Sequence, residues 1–400
     1  MRQAYSNRLR LDTVPIAEVK LNLQCRDRIV PVLRALQHVY CDGELTDKIL
    51  RLIGEDINQD SRTDATEKVR ADSFVLETNI HYPTESGLLL DGLRKIIAVC
   101  VLLADEHGID GWRQHAHLSK KAKKLNRQIH RIATKKGPNY KSRMKPLYRE
   151  LLGKTALLTQ RARALCKLVG QPIPGVSDMF GPNTLQAFIV RTERVADTAR
   201  RRVLNEEAVP NGDKLFSIFE PHTQLYKRGK SGTPIQFGRQ VLVFEDAAGI
   251  IVRGVLMDRD ENDKDVAVRE TKSLQESFNN KVQRLSFDRG LHSPENQAEL
   301  SKLVTDLCLP KPGAKQAVVQ QSEASEEFLA AQQNHAGVES TIGALQSGNA
   351  MKRCRDRSEF GCERYMQLAH LGRNLQTLGR LLSAKENEDA AAAHSRRKVA

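Results

Sequence analysis

One strand followed by more than a hundred residues of helix is the pattern that most constrains this chain. Lys68–Tyr82 (KVRADSFVLETNIHY) is rich in β-branched and aromatic residues and is closed by Pro83, which reads as a strand with Asp72 near its start. The next strand signals come at Gln240–Glu245 and Ile250–Met257, on either side of a hairpin turn at Asp246–Gly249. Between them lie four long helical segments, Leu88–Asp105, Trp112–Lys135, Lys141–Val169 and Asn183–Asn205, broken at Gly108, at Gly137-Pro138 and over 171–182. Downstream, helix and strand alternate: helix Lys264–Lys281, strand Val282–Phe287, helix Ser293–Leu303, strand Val304–Leu309, then helices Ser325–Gln346 and Phe360–Leu382. Ser293 and Pro294 mark a helix start, as N-cap and first helical residue.

Alternation of this kind predicts an α/β core. With the helical block set aside, the order of elements is that of an RNase H-like fold, a mixed sheet with a large all-α insertion after its first strand. Four regions follow: an N-terminal helical domain over 1–65, a discontinuous core over 66–87 and 214–382, the insertion over 88–213, and a disordered tail over 383–400. The N-terminal helices, Arg26–Tyr40 and Glu44–Ile57, are separated by Gly43 and suit either a helix-turn-helix or a plain hairpin.

Charge singles out the insertion. Between Gly111 and Gly170 there are 17 Lys and Arg against one acid, Glu150, whereas the whole chain carries +14, so the remainder is slightly acidic. A concentrated basic block on a near-neutral chain points to a polyanion; the competing explanation is a merely solvated helical face. Lys120, Lys121, Lys123, Lys124, Arg127, Arg131 and Lys135 crowd one helix, and 120, 124, 127 and 131 share a face. Lys120, Lys121, Lys124, Arg127, Arg131 and Lys135 are therefore candidate DNA-binding residues.

Other classes are disfavoured. The longest uncharged apolar run, Ile96–Ala104, is far shorter than the roughly 20 residues that span a bilayer. The N-terminus lacks the apolar stretch of a secretory signal, and seven scattered cysteines without CxxC pairs fit neither a disulfide framework nor a structural zinc, so a cytoplasmic protein is expected. The acidic run Asp258, Asp260, Asp263 and Asp265 fits no EF-hand spacing. His115 and His117, two apart on a helix, point in different directions.

The carboxylates are more informative. Phosphodiester chemistry on DNA often uses two divalent cations about 3.5–4 Å apart, and Mg²⁺ takes hard oxygen ligands, so acids must converge from separate elements. This chain offers one on the first strand (Asp72), one where a later strand ends before a capped helix (Asp288 in LSFDRGLHSPEN) and one beside the apolar face of a late helix (Glu339 in NHAGVESTIGALQ). Glu77 is an alternative to Asp72 on the first strand, but five residues on it faces the opposite side. Each residue alone has an ordinary explanation: a turn aspartate, a helix-capping aspartate, a solvent-facing glutamate.

Four strings, DSFVLETNIHYPTES, KRGKSGTPIQFGRQV, FDRGLHSPEN and HAGVES…RCRDR…G…RY…NLQTLG, together resemble the DDE transposases of bacterial insertion sequences, nearest to the miscellaneous group labelled ISNCY. The likeness runs from about residue 10 to 382. It implies an RNase H-like catalytic core, Asp72, Asp288 and Glu339 as a catalytic and metal-holding triad, two Mg²⁺ or Mn²⁺ ions, double-stranded DNA as partner, and a homo-oligomer on DNA. Phe74 stands where the family usually has Thr, and Leu291 where it has Tyr or Phe. Related families place Tyr, Arg and Lys around the glutamate where this chain has Gln332, His335 and Gln346, so of those DNA-contacting roles only His335 retains any claim. Two alternatives remain at this stage: a transposase-derived DNA-binding protein without activity, and a structure-specific nuclease on the same core.

Overall fold

The computed structural model describes residues 67–170, 181–227, 234–258, 261, 263–313 and 323–399. The N-terminal region, 1–65, where two helices are expected and where Cys25 and Cys41 fall, lies outside the described residues.

The fold is mixed α/β, built on a six-stranded mixed sheet. Its strands are β1 (Lys68–Glu77), β2 (Gln224–Lys227), β3 (Ile235–Asp246), β4 (Ile251–Leu256), β5 (Arg284–Phe287) and β6 (Asp306–Cys308). They lie in the order β2-β3-β1-β5-β6, with β4 also paired to β3. β1 runs antiparallel to β3, from Val69 opposite Asp246 to Glu77 opposite Gly238. It runs parallel to β5, from Lys68 opposite Arg284 to Ala71 opposite Phe287. β4 is antiparallel to β3, and β6 is parallel to β5.

Strand alternation gives the sheet two faces. Val69 and Ala71 point to one side, with Leu242, Phe244, Leu285 and Phe287, and pack on α5 (Asp263–Ser277) and α6 (Pro294–Leu303) through Val266, Leu274 and Leu300. Phe74 and Leu76 point to the other, with Val241 and Val243, against α7 (Glu326–Ser347) and α8 (Glu359–Val399) through Val338, Ile342, Leu345 and Met366. Asp72 falls on this second face, opposite Val243 in β3.

Between β1 and β2 the chain forms α1 (Glu85–Glu106), α2 (His115–Lys135), α3 (Tyr140–Val169) and α4 (Pro182–Ala199), the last running into a short π-helical turn, Arg200–Leu204. These helices own a separate apolar core that includes Leu89, Leu93, Ile96, Leu125, Ile129, Leu151, Leu165, Leu185 and Ile189. Leu215 and Ile218, just after the last of these helices, also pack into it.

Several expectations shift. β1 stops at Glu77, although the β-rich run continues to Tyr82: the Ile80 amide donates to the Thr78 carbonyl at 2.9 Å and turns the chain away. β2, QLYK, is too short to show alternation. The segment 383–399, expected as a disordered tail, continues α8. Ala, Glu, Lys and Arg are strong helix formers, so that composition suits a solvated helix equally well.

Two local arrangements bear on stability. β4 has its outer edge covered by α8: the Asn374 amide accepts from the Ile251 N–H at 2.8 Å and donates to the Ile251 carbonyl at 2.8 Å. At the β3–β4 turn, Asp246 Oδ1 accepts from the Ala248 and Ile250 amides, both at 2.9 Å, while burial pushes its carboxyl up to about 7. The folded chain thus keeps a proton that the unfolded chain releases at its ordinary value. That contribution to stability is complete at low pH and is lost as pH rises through about 7. Asp246→Asn should therefore show a smaller drop in melting temperature between about pH 5 and about pH 8 than the parent. Equal drops in the two proteins would refute this assignment.

Candidate active site and nucleic-acid interface

The sheet brings two of the three acids side by side. Ala71 and Phe287 are register partners on parallel strands, and Asp72 and Asp288 each come one residue later. Asp72 is half-buried and its Oδ1 accepts from the Ser73 amide at 2.6 Å. Asp288 is exposed where β5 ends; its Oδ1 accepts from the Arg289 amide at 2.7 Å and caps the 3₁₀ turn Arg289–Leu291. Glu339 is exposed on α7, the residue after buried Val338.

His335 links these pieces. It sits one turn before Glu339 on α7, and its Nδ1 is 3.2 Å from Ser286 Oγ on β5, two residues before Asp288. Burial pushes the imidazole pKa down, while Asp288 and Glu339 nearby push it up and Arg70 pushes it down. Glu339 follows one turn on along the same helix. Asp72 and Asp288 thus follow matching positions of neighbouring strands, and Glu339 lies on the helix that meets β5 at His335. Their donor set, carboxylate oxygen alone, suits a hard divalent cation. Among the described residues no three His, Cys, Asp or Glu side chains are gathered closely enough to chelate an ion outright.

Glu77 is placed elsewhere. Its side chain accepts from Arg353 at 3.4 Å, and its carbonyl accepts from the Cys354 amide at 2.7 Å beyond the end of β1. The five described cysteines are buried and none of them forms a disulfide. Residues that sequence reading passed over fill the space under α7: Arg70, Glu245, Thr341 and Gly337. The available signal was polar residues inside two otherwise apolar strands and a glycine inside a helix.

The basic block divides into engaged and free charges. In α3, Lys145, Lys154 and Arg163 pair with Glu206, Glu150 and Glu193. Arg161 stacks on Trp112, its guanidinium carbon 4.9 Å from the ring centroid. At the end of α4, Arg201 pairs with Glu207 and Asp213, and Arg202 with Glu85. α2 differs. Its buried residues, Ala122, Leu125 and Ile129, face the insertion's core. Lys120, Lys121, Lys123, Lys124, Arg127, Arg131 and Lys135 are all exposed, and none forms an ion pair among the described residues. At helical spacing 120, 124, 127 and 131 lie directly opposite the buried stripe. α2 also touches the loop that leaves β1, where His130 Nε2 is 3.3 Å from Thr84 Oγ1.

No protein-family model, curated protein or solved structure matches the chain. No helix among the described residues is long and apolar enough to cross a membrane.

Proposed function

We propose that this chain is a DDE-type transposase of a bacterial insertion sequence, with an RNase H-like core that cuts DNA at the element's terminal repeats and joins the freed ends to a target. What supports the reading is that Asp72 and Asp288 follow matching positions of β1 and β5, with Glu339 on the helix whose His335 meets β5 at Ser286. The strand order β4-β3-β1-β5-β6, in which β3 alone runs against the others and β1–β5 and β5–β6 pair parallel, supports the same core.

In this reading Asp72, Asp288 and Glu339 would hold two divalent cations, Mg²⁺ or Mn²⁺. Such ions supply Lewis-acid stabilisation of the attacking and departing oxygens of a phosphodiester. The chain's own contribution is placement. The outward face of α2 binds phosphates of the duplex, fixing position without reading sequence. Water cuts the strand, and the freed 3′-hydroxyl then attacks a target phosphodiester in line, displacing a 3′ oxygen of the target. Pairing two ends requires at least two copies on DNA, and the setting is the bacterial cytoplasm, at the nucleoid.

Purified protein, incubated with DNA flanking its own gene, should cut at the repeat junction and join the product to a second duplex. Both steps should run in Mg²⁺ or Mn²⁺ and stop in Ca²⁺ or chelator. Cutting without joining would identify a nuclease on the same core. Binding without cutting in any metal would identify an inactive DNA-binding relative. Full activity in chelator would remove the two-metal mechanism.

A further inference from the structure

Glu339 is exposed, and its position depends on what holds α7 against the sheet. Two residues before Asp72, Arg70 leaves β1 on the same face and passes beneath that helix. Its Nε donates to Glu245 Oε2 at 2.8 Å, and its Nη1 donates to the Asn334 carbonyl at 2.8 Å. Glu245 is Arg70's cross-strand partner in β3 and is only 1% exposed. Its other oxygen accepts from Thr341 Oγ1 at 2.6 Å. α7 is thus held at Asn334 and at Thr341, with Glu339 between them. The approach requires Gly337, because a Cβ there would lie 2.1 Å from Arg70 Nη1 and 2.4 Å from its Cζ. Exchanging a buried ion pair for apolar side chains is often neutral or stabilising, so stability alone does not account for this one; fixing an arrangement does.

We infer that Arg70 is a positioning residue, threaded under Gly337 and locked to Glu245, which sets the height and register of Glu339 relative to Asp72 and Asp288. This rests on those three acids being the metal-holding triad. The clamp ties β1, through Arg70, to β3, through Glu245, and to two turns of α7, while Ser286 on β5 meets the same helix at His335. A guanidinium can serve two acceptors in fixed directions, which an ammonium cannot.

The test replaces the pair rather than breaking it. Arg70→Met combined with Glu245→Leu should melt close to the parent and bind DNA as tightly. Strand cleavage should fall on the order of 100-fold, the scale of a misplacement near 1 Å, with a raised Mn²⁺ requirement. Gly337→Ala should cause a similar loss in the parent but no further loss once Arg70 is Met, because the clashing group is gone. If the double variant does not fold, Gly337→Ala alone and with Arg70→Met decides the question. Cleavage within about threefold of the parent, or a Gly337→Ala loss of equal size in both backgrounds, overturns the clamp. Asp72→Asn, run alongside, separates the two ideas. If it cleaves normally, the triad reading fails and takes the clamp with it. If it is inactive while the Arg70 variants are active, only the clamp fails.

Discussion

Asp72→Asn, Asp288→Asn and Glu339→Gln are each expected to abolish strand cleavage, by about 1000-fold or more, while leaving DNA affinity within a small factor of the parent. Each substitution keeps the side chain's shape and removes a charge that would hold a cation. None should unfold the chain, since Asp288 and Glu339 are exposed and Asp72 is half-buried. Glu77→Gln makes the informative control. It sits on the same strand but is turned to Arg353, a partly exposed pair whose loss costs about 0–1 kcal/mol. Cleavage and gel-shift assays on the four variants check this. If Glu77→Gln is inactive and Asp72→Asn is active, the first-strand acid has been misassigned.

The second large effect concerns salt. Lys120, Lys124, Arg127 and Arg131 face outward along one side of α2, spread over about 16 Å of helix, and have no ion-pair partner among the described residues. Each phosphate such a charge neutralises contributes roughly 0.9 to the slope of log affinity against log salt. Changing all four to Gln should weaken end binding and flatten the slope by up to about four units, with little change in sequence preference. Gln propagates helix nearly as well as Lys or Arg, so α2 should persist. Arg201 and Arg202, already paired with Glu207, Asp213 and Glu85, should contribute far less to the slope when replaced. Affinity for one end fragment, measured at several salt concentrations, decides the matter. A solvated face of no function predicts an unchanged slope.

The parts of this fold that sequence made legible are those set by local signals. Ser293 accepts from the Asn296 amide at 3.1 Å as an N-cap should, and the turn at Asp246–Gly249 joins the two strands expected on either side of it. Asp288 was legible for the same reason, as an apolar strand ends there and a capped helix follows soon after. The outward stripe of α2 followed from helical period alone. What escaped was long-range. Arg70 meets Glu245 across 175 residues, and the pairing exists only in one strand register. Gly337 reads as a helix-weakening residue until the guanidinium beneath it is seen. β2 carries too few residues to show a period. The end of β1 depends on a turn at Thr78 that its β-rich sequence conceals.

The covering of β4 by Asn374 has a consequence for how copies of this chain can meet. An exposed outer strand is an invitation for another chain to add itself by backbone pairing, the route to runaway stacking. Here one side-chain amide answers both backbone groups of Ile251, imitating a neighbouring strand without being one. That docking position is filled by the chain's own C-terminal helix. If, as proposed, copies meet on paired DNA ends, a contact at this edge would have to run through side-chain surfaces rather than extend the sheet.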